Sequence, residues 1–137
     1  MARVLGLDPG TRRCGVAISD SARTMAFPRE ALPVDERLVA AISETVNEES
    51  VELVVLGRPV SLAGSPTAST ALADELFATL TNSLAPLEVV QVDERLTTVE
   101  AQRSLRGAGH RERDQRARID SAAAVVLLQS FLDGARA

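Results

Sequence analysis

The run Leu53-Val54-Val55-Leu56 limits the fold more than any other stretch of the chain. Four successive apolar positions cannot belong to a strand with one wet face. The run follows a segment of helical periodicity, with Leu38, Val39, Ile42 and Val46 on one face, and it stops at Gly57-Arg58-Pro59. A strand buried on both faces reads this way, and in an α/β protein such a strand is usually parallel. The helix before it is expected to start from Asp35 as cap and to run to about Glu49.

The chain before this point has a different rhythm. Two short apolar runs, at residues 3–7 and 14–19, flank Asp8-Pro9-Gly10-Thr11-Arg12-Arg13, the pattern of a β-hairpin. A third strand is expected at residues 25–32, where Phe27-Pro28 marks an edge strand or a bulge. Beyond the buried run, Ser65 is the expected N-cap of a second helix with Pro66 at its first position. Leu72, Leu76 and Leu80 form the stripe of that helix, with Ala73 and Phe77 beside it. A last strand at residues 87–92 ends in Asp93-Glu94-Arg95. Thr97 and Glu100 have capping-box spacing for a helix ending near Gly107. Residues 108–118 carry Arg111, Arg113, Arg116 and Arg118 against Glu112 and Asp114, and read as a mobile, solvated loop. The final helix, from about Asp120 to Leu132, is apolar almost all round through residues 122–128 and is expected to be buried. The order β-β-β-α-β-α-β-α-α predicts an α/β fold. Its five-stranded mixed sheet has three antiparallel strands continued by parallel ones, and helices on both faces.

The 137 residues suit one domain. No apolar run is long enough to span a bilayer and no signal-peptide pattern is visible, so a cytoplasmic location is the expectation. One Cys (Cys14) and one His (His110) leave no internal disulfide and argue against a zinc site, so any metal would be held by oxygen. A net charge of −4 counts against nucleic-acid binding by bulk charge, although a local basic stripe remains open. All fifteen cationic side chains are arginine, which suits bidentate phosphate contacts, although a GC-rich genome explains it without function. Three phenylalanines are the only aromatics, too few for a base-stacking platform.

Ligands of open α/β sheets sit outside the carboxyl ends of the strands. Asp8, Gly57-Arg58 and Glu94 stand at three such ends, and Asp120 opens a buried helix. Each has an ordinary alternative: Asp8 as a turn residue, Asp93 and Glu94 as solvated loop, Asp120 as a plain N-cap. Three carboxylates converging on one edge, without Cys or His, suit Mg²⁺ or Mn²⁺. With phosphate oxygens completing the shells, two such ions can activate a water and stabilise a leaving oxygen.

Four motifs then carry a resemblance: LGLDPGTRRCGVAISD, VLGRPVSLAGS, VDERLTTVEAQRSL and IDSAAAVVLLQSFL. In this order they resemble the YqgF/RuvX family, described as Holliday-junction resolvases and as pre-16S rRNA nucleases, over essentially the whole chain. The resemblance implies a ribonuclease H-like fold and metal-assisted hydrolysis of phosphodiesters. It makes Asp8, Glu94 and Asp120 the metal-binding catalytic carboxylates; in the leading scheme Asp8 would bridge two ions, while Glu94 and Asp120 would each hold one. It implies trimming of the 5′ end of precursor 16S rRNA, with four-way DNA junction cleavage as the older assignment. Arg12, Arg13, Arg58 and Arg95, with Thr97 and Thr98, are the candidate substrate contacts. Ribosome precursor particles and a homodimer are the candidate partners. Arg12 replaces a lysine common in relatives, the loop at residues 60–66 lacks their Asn and Asp, and Glu112 and Asp114 dilute the last basic segment. Two readings compete. One is a non-catalytic nucleic-acid-binding factor in transcription or ribosome assembly. The other is a phosphate loop of the actin/Hsp70/sugar-kinase type at residues 7–15, for which the chain supplies residues for only one lobe.

Overall fold

The computed structural model describes the backbone of residues 2–61, 63–96 and 112–136, and the side chains of 2–61, 63–95 and 121–135. Its core is a five-stranded sheet in the order β3-β2-β1-β4-β5. The strands are β1 (Arg3–Pro9), β2 (Arg13–Ser19), β3 (Ala26–Pro33), β4 (Val51–Arg58) and β5 (Glu88–Asp93). β1–β2 and β2–β3 pair antiparallel, whereas β1–β4 and β4–β5 pair parallel, as the order of patterns predicts. Two helices, α1 (Leu38–Glu48) and α2 (Ala68–Ser83), connect the strands, and α3 (Glu112–Arg136) closes the described chain.

Alternation along the central strands divides the core. Leu5, Leu7, Cys14, Val16, Ile18, Val54 and Leu56 face α1 and α2, meeting Leu38, Ile42, Leu80 and Leu84. Val4, Ala17, Ala26 and Val55 face α3, meeting Ala124, Val125, Leu128 and Leu132. Both faces of β1 and β4 are therefore dry, which accounts for the unbroken run Leu53–Leu56. Gly6 lies beneath α3: a Cβ there would stand 2.8 Å from the Leu128 Cβ, so only glycine lets helix and sheet approach this closely.

Several local expectations are corrected. β1 continues past Leu7 through Pro9, which pairs with Cys14, and the turn closes one residue later through Gly10 N–H donating to Arg13 O at 3.0 Å. α1 starts at Leu38 rather than from an Asp35 cap; Asp35 accepts from the Arg37 and Leu38 amides in the turn before it. α2 starts from Thr67, not Ser65. Thr67 and Thr70 form a reciprocal capping box, and the Thr70 hydroxyl also donates to Pro59 O, anchoring the helix to the end of β4. The residues that α2 buries are Thr70, Ala73 and Leu80, while Leu72 is 45% exposed.

α3 is already helical from Glu112, so the latter part of the expected loop at 108–118 is helix. The helix kinks at Ser121 (φ −121°, ψ 16°), and from there it is one-sided, with Ala122 and Ala123 exposed. The expected helix after Thr97, with its Thr97–Glu100 cap, lies outside the described residues. No helix among the described residues is long and apolar enough to cross a membrane.

Candidate active site

The parallel strands β1, β4 and β5 all end on one edge of the sheet, where they place Asp8, Gly57-Arg58 and Asp93. Arg58 pairs in register with Asp93. After Asp93 the chain makes a single 3-10 turn, Glu94–Leu96, which returns the Glu94 side chain over the sheet on the α3 face. Gly57 makes this possible. A Cβ at residue 57 would stand 2.6 Å from Glu94 Oε1, 3.1 Å from Glu94 Cγ and 3.0 Å from a Leu127 methyl.

Across the bare glycine, the Glu94 carboxyl faces that of Asp8. Burial, then Asp8 as a hydrogen-bonding neighbour, then the charges of Asp8 and Asp93 push the Glu94 carboxyl from 4.5 up to about 8. A half-buried carboxyl with its Oε1 shielded from solvent, facing a second carboxyl, is the oxygen-only donor set that a hard divalent cation satisfies. The described residues hold no cluster of three or more metal-ligating side chains, and the side chain of Asp120 lies outside them. The backbone of Asp120 is in α3, directly before the kink at Ser121.

The candidate substrate contacts divide into three groups. Arg12 and Arg13 are exposed at the tip of the β1–β2 hairpin, beside Asp8. Arg58 and Arg95 are held by acids. Arg58 donates side-on to Asp74 of α2, Nε to Oδ1 at 2.9 Å and Nη2 to Oδ2 at 3.1 Å, and Gln91 Nε2 donates to the same Oδ1 at 2.8 Å. Arg95 donates to Asp93, Nη2 to Oδ2 at 2.7 Å, and its guanidinium lies over Gly64. These hydrogen bonds hold the Asp74 and Asp93 carboxyls below the usual carboxylate range. Thr97 and Thr98 lie outside the described residues.

Asp74, Gln91 and Ser121 are absent from the sequence expectation. Asp74 leaves no local signal because its partners Arg58 and Gln91 are distant in sequence, whereas the Thr67-x-x-Thr70 spacing is the local signal for the cap of α2. Cys14, one residue before the partner of Asp8 in β2, is fully buried, and burial followed by the Asp8 charge raises its thiol to about 12.

The sequence profile of the RuvX family, described as Holliday junction resolvase, matches residues 2–134. The chain is 45% identical over 137 residues to a protein of Mycolicibacterium paratuberculosis named "Putative pre-16S rRNA nuclease", covering 98% of this chain and 82% of that one. A protein of the same name from Mycobacterium bovis is 46% identical, covering 96% and 78%. Among solved structures, Thermus thermophilus RuvC in complex with a Holliday junction substrate superimposes with a TM-score of 0.66 at 14% identity, covering 99% of this chain and 96% of that one. The fowlpox virus Holliday junction resolvase does so with a TM-score of 0.59 at 11% identity, covering 96% and 99%. At such identities these two show the fold alone, which is ribonuclease H-like. Matched over nearly its whole length, the chain belongs to the RuvX family.

Proposed function

We propose that this chain is a divalent-metal-dependent nuclease that hydrolyses phosphodiester bonds in the 5′-end maturation of precursor 16S rRNA. The observation that carries the reading is the meeting of Glu94 and Asp8 over Gly57 at the carboxyl edge of the parallel strands. Family membership and the names of its relatives supply the reaction class. Asp8 and Glu94, joined by Asp120, would hold the metal, Mg²⁺ or Mn²⁺, with two ions as the working number. A divalent ion bound there supplies neutralisation of phosphate charge and a water that gives up its proton near neutral pH.

The protein's own part is to keep that centre in place and bring the substrate to it. Gly57 leaves room for the Glu94 carboxylate, and the 3-10 turn aims it at Asp8. Arg12 and Arg13 project from the hairpin beside Asp8, where guanidinium groups can take backbone phosphates. Arg58 and Arg95 border the same edge. Asp74 and Asp93 orient them and cancel part of their charge. One domain in the cytoplasm, acting on ribosome precursor particles, completes this reading, with a homodimer as a possible assembly.

The test is cleavage of labelled precursor 16S rRNA and of a four-way DNA junction, with Mn²⁺ or with EDTA, by the native protein and by Asp8→Asn. The expected result is metal-dependent cleavage of the RNA that Asp8→Asn abolishes while retaining fold and RNA binding. Cleavage of the junction alone transfers the reading to a resolvase, the activity that the family's description names. Full activity in Asp8→Asn overturns the metal-centre assignment.

A further inference from the structure

The β2–β3 ladder contains a bulge beside the proposed metal centre. Cys14 pairs with Leu32 and Val16 with Arg29, so Glu30 and Ala31 of β3 together oppose Gly15 of β2. Gly15 is also the partner of Asp8 in the β1–β2 ladder. At the bulge the Ser121 hydroxyl of α3 bridges the two strands: it accepts from Val16 N–H at 3.0 Å and donates to Arg29 O at 2.7 Å. Ser121 is 1% exposed, and it is the residue at which α3 departs from helical geometry. Bulges re-aim chains next to functional sites, and here the one inserted residue is matched by one inserted hydroxyl from another element.

A second tether holds the same helix to the same edge strand. Gln129 Oε1 accepts from Ala26 N–H at 2.9 Å, and its Nε2 donates to Thr24 O at 3.0 Å. Gln129 is as buried as Ser121 but lies about 12 Å further along the helix axis. Gln129 also donates to Asp133 Oδ1 within α3; both residues tie the helix to the β3 side of the sheet, and only Ser121 adjoins Asp120.

We propose that Ser121 is a positioning residue: its hydroxyl, locked into the β2–β3 bulge next to Gly15, the partner of Asp8, fixes the kinked turn of α3 whose backbone carries Asp120. The proposal rests on the metal-centre reading above. It assigns a role to a residue that would touch neither metal nor substrate. Residues behind metal ligands set ligand orientation, and their loss typically costs ten- to a hundred-fold in metal affinity or activity, roughly.

The experiment compares Ser121→Ala with Gln129→Leu, each removing one tether, by thermal denaturation, Mn²⁺ calorimetry and cleavage kinetics. Both variants should lose melting temperature. Ser121→Ala alone should weaken Mn²⁺ binding and lower kcat by about tenfold or more, with KM unchanged. Ser121→Cys retains a weak donor and acceptor of similar size, should fall between, and gives the same reading if the alanine variant does not fold. Equal losses of metal affinity in Ser121→Ala and Gln129→Leu, or wild-type affinity and kcat in Ser121→Ala, overturn the proposal. Asp8→Asn in parallel separates the two levels. If it is inactive and Ser121→Ala is unaffected, the inference alone falls; if it is fully active, the metal-centre reading falls and takes the inference with it.

Discussion

Glu94 lies across Gly57, with its Oε1 2.6 Å from the point where a Cβ on residue 57 would stand. The missing side chain of one strand is thus the seat of a carboxylate from the next. Gly57→Ala is expected to dislodge Glu94 rather than the fold, because the atom in the way is the far end of a flexible side chain. Activity should fall by about tenfold or more, the cost of loosening a positioned group. Metal affinity should fall with it, and a melting curve should show a small change. A crystal structure of the variant with Glu94 still in contact with Asp8 would count against this account.

The same contact makes stability depend on pH. The Glu94 carboxyl titrates at about 8 in the folded protein and from an ordinary value of 4.5 when unfolded. The folded state therefore holds the proton more tightly. Its contribution is fully present below about pH 4.5 and is lost as pH rises through about 8. In EDTA, the melting temperature of the native protein should decline across this window relative to Glu94→Gln, which has no proton to lose. Mn²⁺ should reverse the decline in the native protein only. Parallel profiles for the two proteins would refute it.

Arginines at the site edge should differ in their electrostatic weight. Arg12 is exposed at the hairpin tip, whereas Arg58 is engaged side-on by Asp74. Arg12→Ala is expected to reduce the slope of log affinity against log salt by about 0.7 for single-stranded RNA, the loss of one phosphate contact. Arg58→Ala should reduce it by less, since Asp74 already offsets its charge. Fluorescence titrations of RNA at several salt concentrations measure both.

Cys14 provides an internal clock for unfolding. Its thiol is fully buried and raised to about 12, so the reactive thiolate is scarce and unreachable in the folded state. Iodoacetamide at pH 8 should leave the native protein unmodified and label it only at the rate at which the chain opens. Rapid labelling under native conditions would contradict the packing of β2.

Legibility from the sequence follows the range over which each feature is encoded. The apolar run at Leu53–Leu56 and the hairpin around Gly10 are local and strong, so the mixed sheet and the shared edge of Asp8 and Glu94 were readable. Helix starts were not, because Ser65-Pro66 competes in the sequence with the Thr67-x-x-Thr70 spacing, and the reciprocal box of Thr67 and Thr70 with the anchoring of Thr70 to Pro59 O decides between them. Leu72 shares the face of Leu76 and Leu80, yet it sits in the first turns of α2 and is exposed, so the stripe is buried only further along the helix. The arginine-rich segment from Glu112 lacks apolar periodicity, so its helix left no pattern to read. Ser121 was invisible for another reason: its partners Val16 and Arg29 belong to strands far away in sequence.

The strand order has a consequence for a chain made from one end. β1 sits at the centre of the sheet, β2 and β3 are added outward on one side, and β4 and β5 outward on the other. Every later strand docks on an edge that already exists, and none must wedge between two neighbours. The chain can therefore widen its sheet in the order of synthesis, with the α3 face covered last. Until β4 emerges, Val4–Leu7 is a bare apolar edge, and this is the interval in which the nascent protein is open to misassociation.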